Sequence, residues 1–358
     1  MDERIFSYKA GAPIPAWDLK HRLSVHEPVG PECKDTGTVF RVNSTYMDVT
    51  DQPYRDRQWH AGGVLTSCIG VVAPLGLIGY MLIHPAREFV FSLAIVWLIL
   101  LGSSAAFAYL TWRYGKDEFF ALKRRPIRFH RKEKIIYAIR HRRFFSKPGQ
   151  GDFTWEIAWN ENAIFCIHKR IVNHGPSYHI RHYEVDQDGN VIRAMAIGRT
   201  WEGKRNLQGL LSQWNYWCWY MNHGPADLPR PPLYFKERET ALESFLFCLY
   251  DFGTRASVAY RISVMPFVLL MTSHRLMALW TCRDPVWPQA IEALSTIEPG
   301  DPFDEPKGGT PTGWGETAQA IERGEYPYDP KSDMKAWRGQ KDPARNTLLW
   351  AEDIPPRH

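Results

Sequence analysis

The chain has 358 residues, of which 44% are hydrophobic, 14% aromatic and 23% charged, with 15 Trp and a formal net charge of +5. That length buries at least one full core, and so aromatic a composition excludes a disordered chain. The six cysteines, Cys33, Cys68, Cys166, Cys218, Cys248 and Cys282, lie far apart without a C-x-x-C pair, which excludes a disulfide frame and reads as reduced, mostly buried thiols of a cytoplasmic domain.

In chain order, Met1 to Asp18 carries mixed charge and two prolines but no apolar run, so no cleavable signal peptide is expected. Residues 1–60 form an arm rich in proline (Pro13, Pro15, Pro28, Pro31, Pro53), with one plausible strand at Thr38–Val42. It is expected to be partly extended and docked on the main domain.

Residues 61–112 dominate the reading. Ala61–Ile83 is 23 residues without a charge, and Phe89–Trp112 is 24 more. A helix rising about 1.5 Å per residue needs roughly 20 residues to cross the hydrocarbon core, so each run is long enough. Neither shows the polar face that a helix of a soluble core keeps. The short link His84-Pro85-Ala86-Arg87-Glu88 makes the pair a transmembrane hairpin. Pro74 is expected to kink the first span, and the small-residue pairs Thr66-x-x-x-Gly70 and Gly102-x-x-x-Ala106 to allow close helix packing.

Orientation follows from the flanks. Residues 113–147 hold thirteen basic residues against three acidic ones, a net of +10, whereas the hairpin link holds one of each. The positive-inside rule then puts both termini in the cytoplasm, with Trp59 and Trp112 at that interface and Tyr80 near the other. Arg113, Lys116, Lys123, Arg124 and Arg125 are the candidate membrane-surface residues, held by anionic lipid at roughly 1 kcal/mol each. Lipid is favoured over nucleic acid, because the rest of the chain nets −5 and offers no second basic face.

From Arg125 the pattern turns to strands of an α+β domain spanning residues 113–298. Six are expected as an antiparallel meander: Pro126–His130, Ile135–Arg140, Thr154–Trp159, Ala163–His168, Tyr178–Val185 and Val191–Ile197. The Asp-Gly step in Asp186-Gln187-Asp188-Gly189-Asn190 is the strongest hairpin signal. The sheet either lies open or closes into a small barrel capped by the next helix, as in pleckstrin-homology-like domains. That helix carries Leu207, Leu210, Leu211, Trp214, Trp217, Cys218 and Met221 at helical spacing. A rigid connector, Asp227–Pro232, follows. Glu239–Tyr250 is read as a helix burying Leu242, Phe245, Leu246 and Leu249. A third apolar run, Ala259–Cys282, contains Arg261, Pro266, His274 and Arg275, which make spanning costly. It reads as a buried or membrane-apposed helix, with a re-entrant segment as the alternative.

Residues 299–358 form a Pro/Gly-rich acidic extension, expected to wrap the domain through Trp314, Tyr326, Tyr328, Trp337 and Trp350, with a short helix at Glu316–Arg323.

The search for chemistry returns little. His179 and His182 stand three apart on a strand and so face opposite sides, which with His174 argues against a metal site. Asp186–Asn190 resembles a calcium loop, but its Gly is misplaced and Ile197 stands where a bidentate Glu belongs. Gly308–Gly315 is glycine-rich without the Lys-Ser/Thr ending of a phosphate loop. No motif marks an enzyme or calls for a cofactor. The run Trp214-Asn215-Tyr216-Trp217-Cys218-Trp219-Tyr220 places aromatics all around a helix. It reads either as core or, through Trp214, Tyr216, Trp217, Trp219 and Tyr220, as an interaction surface.

With these residues in view, the chain resembles an uncharacterised family of proteobacterial membrane proteins. The resemblance is carried by Arg125–Lys134, Thr154-Trp155-Glu156, Gln213–Pro225, Leu279–Arg283 and Leu349–Asp353. It implies a setting beside type VI secretion effector genes, and so an immunity protein in the bacterial inner membrane that binds a cognate toxin. A membrane-delivered effector, or an effector adaptor, is the alternative.

Overall fold

The computed structural model describes residues 10–27, 29, 33–50, 52–84, 90–141, 152–172, 175–202, 207–231, 233–251, 257–307, 316, 319–320 and 323. It is α+β. Helix α1 (Ala16–Lys20) leads into strand β1 (Arg22–Leu23), and β2 (Val39–Val42) and β3 (Tyr46–Val49) form a hairpin. Helix α2 (Gln52–Arg55) runs into the long pair α3 (Arg57–Ile83) and α4 (Val90–Glu118). Strands β4 (Ile127–His130), β5 (Ile135–His141), β6 (Asp152–Ala158), β7 (Ile164–Val172), β8 (Gly175–Val185) and β9 (Val191–Glu202) follow. The helices α5 (Leu207–His223), α6 (Ala241–Asp251), α7 (Val258–Ser263), α8 (Met265–Thr281) and α9 (Gln289–Leu294) complete the described chain.

All six expected strands form, but not as one meander. They divide into two antiparallel sheets, ordered β1-β7-β8-β9 and β2-β3-β4-β5-β6. The turn at Asn160–Asn162, expected to close a hairpin, carries the chain from one sheet to the other. This two-sheet order gives no support to the pleckstrin-homology-like alternative. The N-terminal arm is woven in. Its β1 pairs with β7, Leu23 opposite Phe165, and its β2–β3 hairpin extends the other sheet, with Met47 opposite Phe129. Asn43 pins that hairpin, its side-chain oxygen accepting from the Thr45 and Tyr46 amides at 2.8 Å each.

The two sheets share one filler, helix α5. Its Trp214 meets Phe165 of β7 at 5.0 Å between ring centroids, and its Trp217 meets Phe129 of β4 at 5.1 Å. Trp214, Tyr216, Trp217 and Tyr220 are all fully buried, and Trp219 is partly buried against the same core. Removing one such ring costs about 3–5 kcal/mol by the usual measure of large-to-small core changes.

The amides interleaved with these aromatics hold the arm. Asn215 donates to the Val29 carbonyl at 2.6 Å and accepts from the Val29 amide at 2.8 Å. Asn222 donates to Val25 O at 2.6 Å, and the Gln213 oxygen accepts from Thr36 N at 2.7 Å. Buried backbone needs such partners, and here side chains of the aromatic helix supply them.

The other helices differ in detail from expectation. Helix α6 buries Glu243, Ser244, Phe247 and Cys248, and Phe245 and Leu249 of the expected face pack against the Cys248 cluster, but Leu242 is exposed, because Ser244 turns toward a buried carboxylate at Glu239. Pro74 lies inside α3. Gly70 packs on the Phe107 ring, but Gly102 and Ala106 face outward, and Ser104 takes the contact in their place, its hydroxyl 3.3 Å from Val71 O. Glu316, Gln319 and Ala320 are helical, whereas Trp314, Tyr326, Tyr328, Trp337, Trp350 and the Gly308–Gly315 run lie outside the described residues.

Gly198 on β9 adopts φ +75°, and a Cβ there would stand 2.4 Å from the Trp217 ring. Left-handed backbone costs a residue with a Cβ about 1–2 kcal/mol, and displacing a buried indole adds a similar or larger amount. Gly198→Ala is therefore expected to cost roughly 2–4 kcal/mol in all. Thermal unfolding of the detergent-solubilised protein measures it, and a melting temperature equal to wild type would contradict this packing.

Candidate functional site

Four of the five residues singled out on the aromatic run are core. Trp214, Tyr216, Trp217 and Tyr220 have no exposed face, so the interaction-surface reading fails for them. The cause is the second sheet: a helix covered on both sides buries every ring. Trp219 packs on His223, tilted, with ring centroids 4.4 Å apart, and keeps only a partial exposure.

The base of the α3–α4 pair is clamped by buried arginines. Arg57, at the first turn of α3, donates to Glu118 O at 3.2 Å and Leu122 O at 3.0 Å, and lies 3.0 Å from the Cys282 sulfur. His60 sits 3.3 Å from the Glu118 carboxylate. One turn away, Arg275 of α8 is wholly buried and grips Glu239 through two bonds of 2.6 Å. The same guanidinium donates to Tyr54 O at 3.1 Å and Gln58 Oε1 at 3.0 Å, and lies over the Phe247 ring. Burial opposes charge on Glu239, but Arg275, Ser244 and Tyr54 outweigh it and hold the carboxyl below its ordinary value. The charge that argued against α8 as a membrane span is thus an internal tether joining α8 to α6 and the start of α3.

The basic segment is largely consumed in the same way. Lys123 pairs with Asp284 at 3.0 Å, and Arg124 pairs with Glu237 at 3.2 Å while lying over the Phe40 ring. Arg128 is buried in a two-bond pair with Asp48 at 2.7 and 2.8 Å. Lys132 reaches Glu298, and Arg131 donates to Ser44 O. Arg125 is half-buried. Of the five membrane-surface candidates, Arg113 and Lys116 stand on the last turns of α4 itself, and Arg113 donates to the Tyr109 hydroxyl. Arg142, Arg143 and Lys147 lie outside the described residues.

A polar cluster absent from the sequence reading joins α1 to the outer face of β7 and β8. Asp18 accepts from His168 Nδ1 at 2.7 Å and from the Tyr183 hydroxyl at 2.5 Å. Arg181 bridges Tyr183 and His179 at 3.3 Å each. His179 lies on this face and His182 on the other, against Phe165, as strand alternation requires. Burial, reinforced by Arg181, pushes the His179 imidazole well below its ordinary value, and burial brings His182 down to about 4. Among the described residues no three metal-ligating side chains come together. His174 lies outside them. The Asp186–Asn190 segment is a plain turn: its Asp186 carboxylate accepts from the Asp188 and Asn190 amides at 3.0 and 2.8 Å.

Two clefts complete the picture. One, of about 340 Å³, lies between the Pro225–Pro231 connector, Tyr216, Tyr234 and the segment Pro302–Glu305. That segment is fastened to β2: Arg41 pairs with Asp304 at 2.8 Å, Glu305 exchanges backbone bonds with Val42, and Asp301 accepts from Ser44. These acids of the C-terminal extension are therefore spent internally. The other cleft, of about 690 Å³, is apolar and opens among α3, α4 and α8, walled by residues such as Leu65, Cys68, Trp112, Phe120, Met277 and Thr281.

The molecule is thus an α+β protein carrying two helices long and apolar enough to cross a membrane. Their most apolar stretches are only 17% and 6% buried, so they stand clear of the core. A family profile described as "Family of unknown function (DUF6708)" matches residues 104–299, more than half of the chain, and the chain belongs to that family. No curated protein and no solved structure matches it significantly. The matched region excludes β1, β2 and β3, which close both sheets here.

Two tests follow. Removing one partner of a buried ion pair costs about 3–5 kcal/mol, so Arg275→Leu should lower the melting temperature sharply, and adding Glu239→Leu should recover most of the loss. An unchanged melting temperature in the single variant would contradict the tether. Because the folded His182 pKa lies below the unfolded value near 6.5, the unfolded chain binds the extra proton as pH falls. Stability is then full above about 6.5 and declines towards 4, by about 2 kcal/mol at pH 5 from this residue alone. His182→Gln should flatten the decline in melting temperature between pH 7 and 5, and an identical slope would refute the assignment.

Proposed function

We propose that this protein is anchored in a bacterial inner membrane by α3 and α4, with both termini cytoplasmic. Its α+β domain binds and neutralises a cognate toxin of a type VI secretion system, in a stoichiometric complex. The observation that carries the anchoring is the exposure of the two apolar helices. Ile69, Val72, Leu98 and Ile99 are each about two-thirds exposed, an arrangement that water penalises and a bilayer does not. Trp59 and Trp112 lie at the domain end of the pair and Tyr80 at the far end, in keeping with interfacial belts. The toxin-binding role rests on the resemblance to proteins encoded beside secretion effectors.

Neutralisation by occlusion needs a surface and no catalytic group. The cleft between the proline connector and Pro302–Glu305 is the candidate, and the C-terminal extension over residues 299–358, with a net charge of −3, is the element suited to a basic partner. A tagged full chain, solubilised in detergent from its native bacterium, is expected to bring down an equimolar neighbour-encoded toxin. Deletion of residues 299–358, which also removes the Pro302–Glu305 wall of that cleft, should lose that partner and the protection it confers while membrane insertion persists. Toxicity of the chain expressed alone would point to an effector, and loss of secretion without loss of protection to an adaptor; either outcome overturns the proposal.

A further inference from the structure

Helices α7 and α8 present a stripe that nothing in the described fold covers. Ile262, Leu269, Leu270, Met277 and Trp280 recur at helical spacing and are between 44% and 74% exposed. The opposite side of α8, with Val268, Met271, Arg275, Ala278 and Leu279, is buried in the domain. The stripe's interruption, Ser273, satisfies its hydroxyl on the Leu270 carbonyl at 2.7 Å.

The direction of α8 is fixed by what it touches. Phe267 packs on Trp59 at 5.7 Å, Arg275 bonds Gln58, and Cys282 lies 3.0 Å from Arg57. From residue 267 to 282 the helix advances about 22 Å, whereas Trp59 and Arg57 are separated by about 3 Å along α3. Helix α8 therefore lies against the first turns of α3, with His274 on Gly62 and Met277 in one wall with Leu65 and Cys68, at the end where Trp59 and Trp112 lie. Its exposed face is also continuous with the apolar surface of the long helices: Met277 and Thr281 wall the same cleft as Leu65, Cys68 and Trp112, and Lys116 stands in that wall.

We propose that α7 and α8 form an in-plane anchor, lying at the cytoplasmic lipid boundary with Ile262, Leu270, Met277 and Trp280 set among the upper acyl chains. The inference rests on the membrane reading of α3 and α4. The occupant of the stripe is lipid, because a surface level with a spanning pair and continuous with it meets the bilayer whenever the pair is inserted. Lys116 and Arg113 at the adjoining end of α4 suit anionic headgroups. The domain is then held at three places, α3, α4 and α8, and the Arg275–Glu239 bond transmits that hold to its interior.

Spin labels on the full-length protein test this. In a Cys68→Ala background, Leu270→Cys, Met277→Cys and Trp280→Cys are labelled in vesicles of phosphatidylethanolamine and phosphatidylglycerol. Leu77→Cys reports the span, and Ile192→Cys, exposed at the start of β9, reports solvent. Collisions with oxygen should exceed those with a nickel chelate at 270, 277 and 280, as at 77, and the order should reverse at 192. Nickel accessibility at all three α8 sites matching that at 192 would overturn the proposal, as would shielding from both reagents, the mark of a protein partner or a second copy. If position 77 itself reports solvent, the membrane reading fails, and the two failures are told apart.

Discussion

The burial of one aromatic helix between two sheets is the constraint on which the rest of the fold depends. Trp214 and Trp217 point to different neighbours, Phe165 on one sheet and Phe129 on the other, so neither sheet is complete without α5. Each buried indole is worth several kcal/mol, comparable with the whole margin by which domains are stable. Gly198, without a Cβ, lets β9 approach the Trp217 ring, and the Asn215, Asn222 and Gln213 amides turn the N-terminal arm into a lid on the same helix. The dense run Gln213–Asn222 is thereby explained residue by residue: rings for the sheets, amides for the arm.

A second constraint operates at the foot of the α3–α4 pair. Arg57 and Arg275 are buried cations that exist only because carbonyls and Glu239 receive them. They tie the long helices to α6, α8 and the segment after α4, so the domain is fastened to the hairpin instead of hanging from it by a linker. The family profile begins within α4 and ends after α9, yet the sheets of this chain also need strands contributed from before α3. The apolar pair is in effect an insertion between the arm and the domain the arm completes.

The basic stretch after α4 shows how far composition alone can mislead. Its +10 reads as a surface charge, but Lys123, Arg124, Arg128 and Lys132 are matched to Asp284, Glu237, Asp48 and Glu298, acids from distant parts of the chain. An ion pair closed across eighty residues or more leaves no local trace. Among the described residues, Arg113 and Lys116 stand on the last turns of α4, fewer charges than the orientation rules count.

By itself the sequence determined the local and the periodic. Two charge-free runs gave the long helices, alternation gave β4 to β9, the Asp-Gly turn placed the β8–β9 hairpin, and strand parity set His179 and His182 on opposite faces. These follow from rise per residue and side-chain period, which neighbours in the chain dictate. The strand at Thr38–Val42 was legible too, as β2, but tertiary structure alone decided which strands pair, that the arm adds β1 and β3 and joins both sheets, that α6 turns Leu242 outward, and that the aromatic run is core. Those outcomes depend on contacts closed across large loops, where one helix must satisfy two sheets at once and a buried arginine must find its carboxylate.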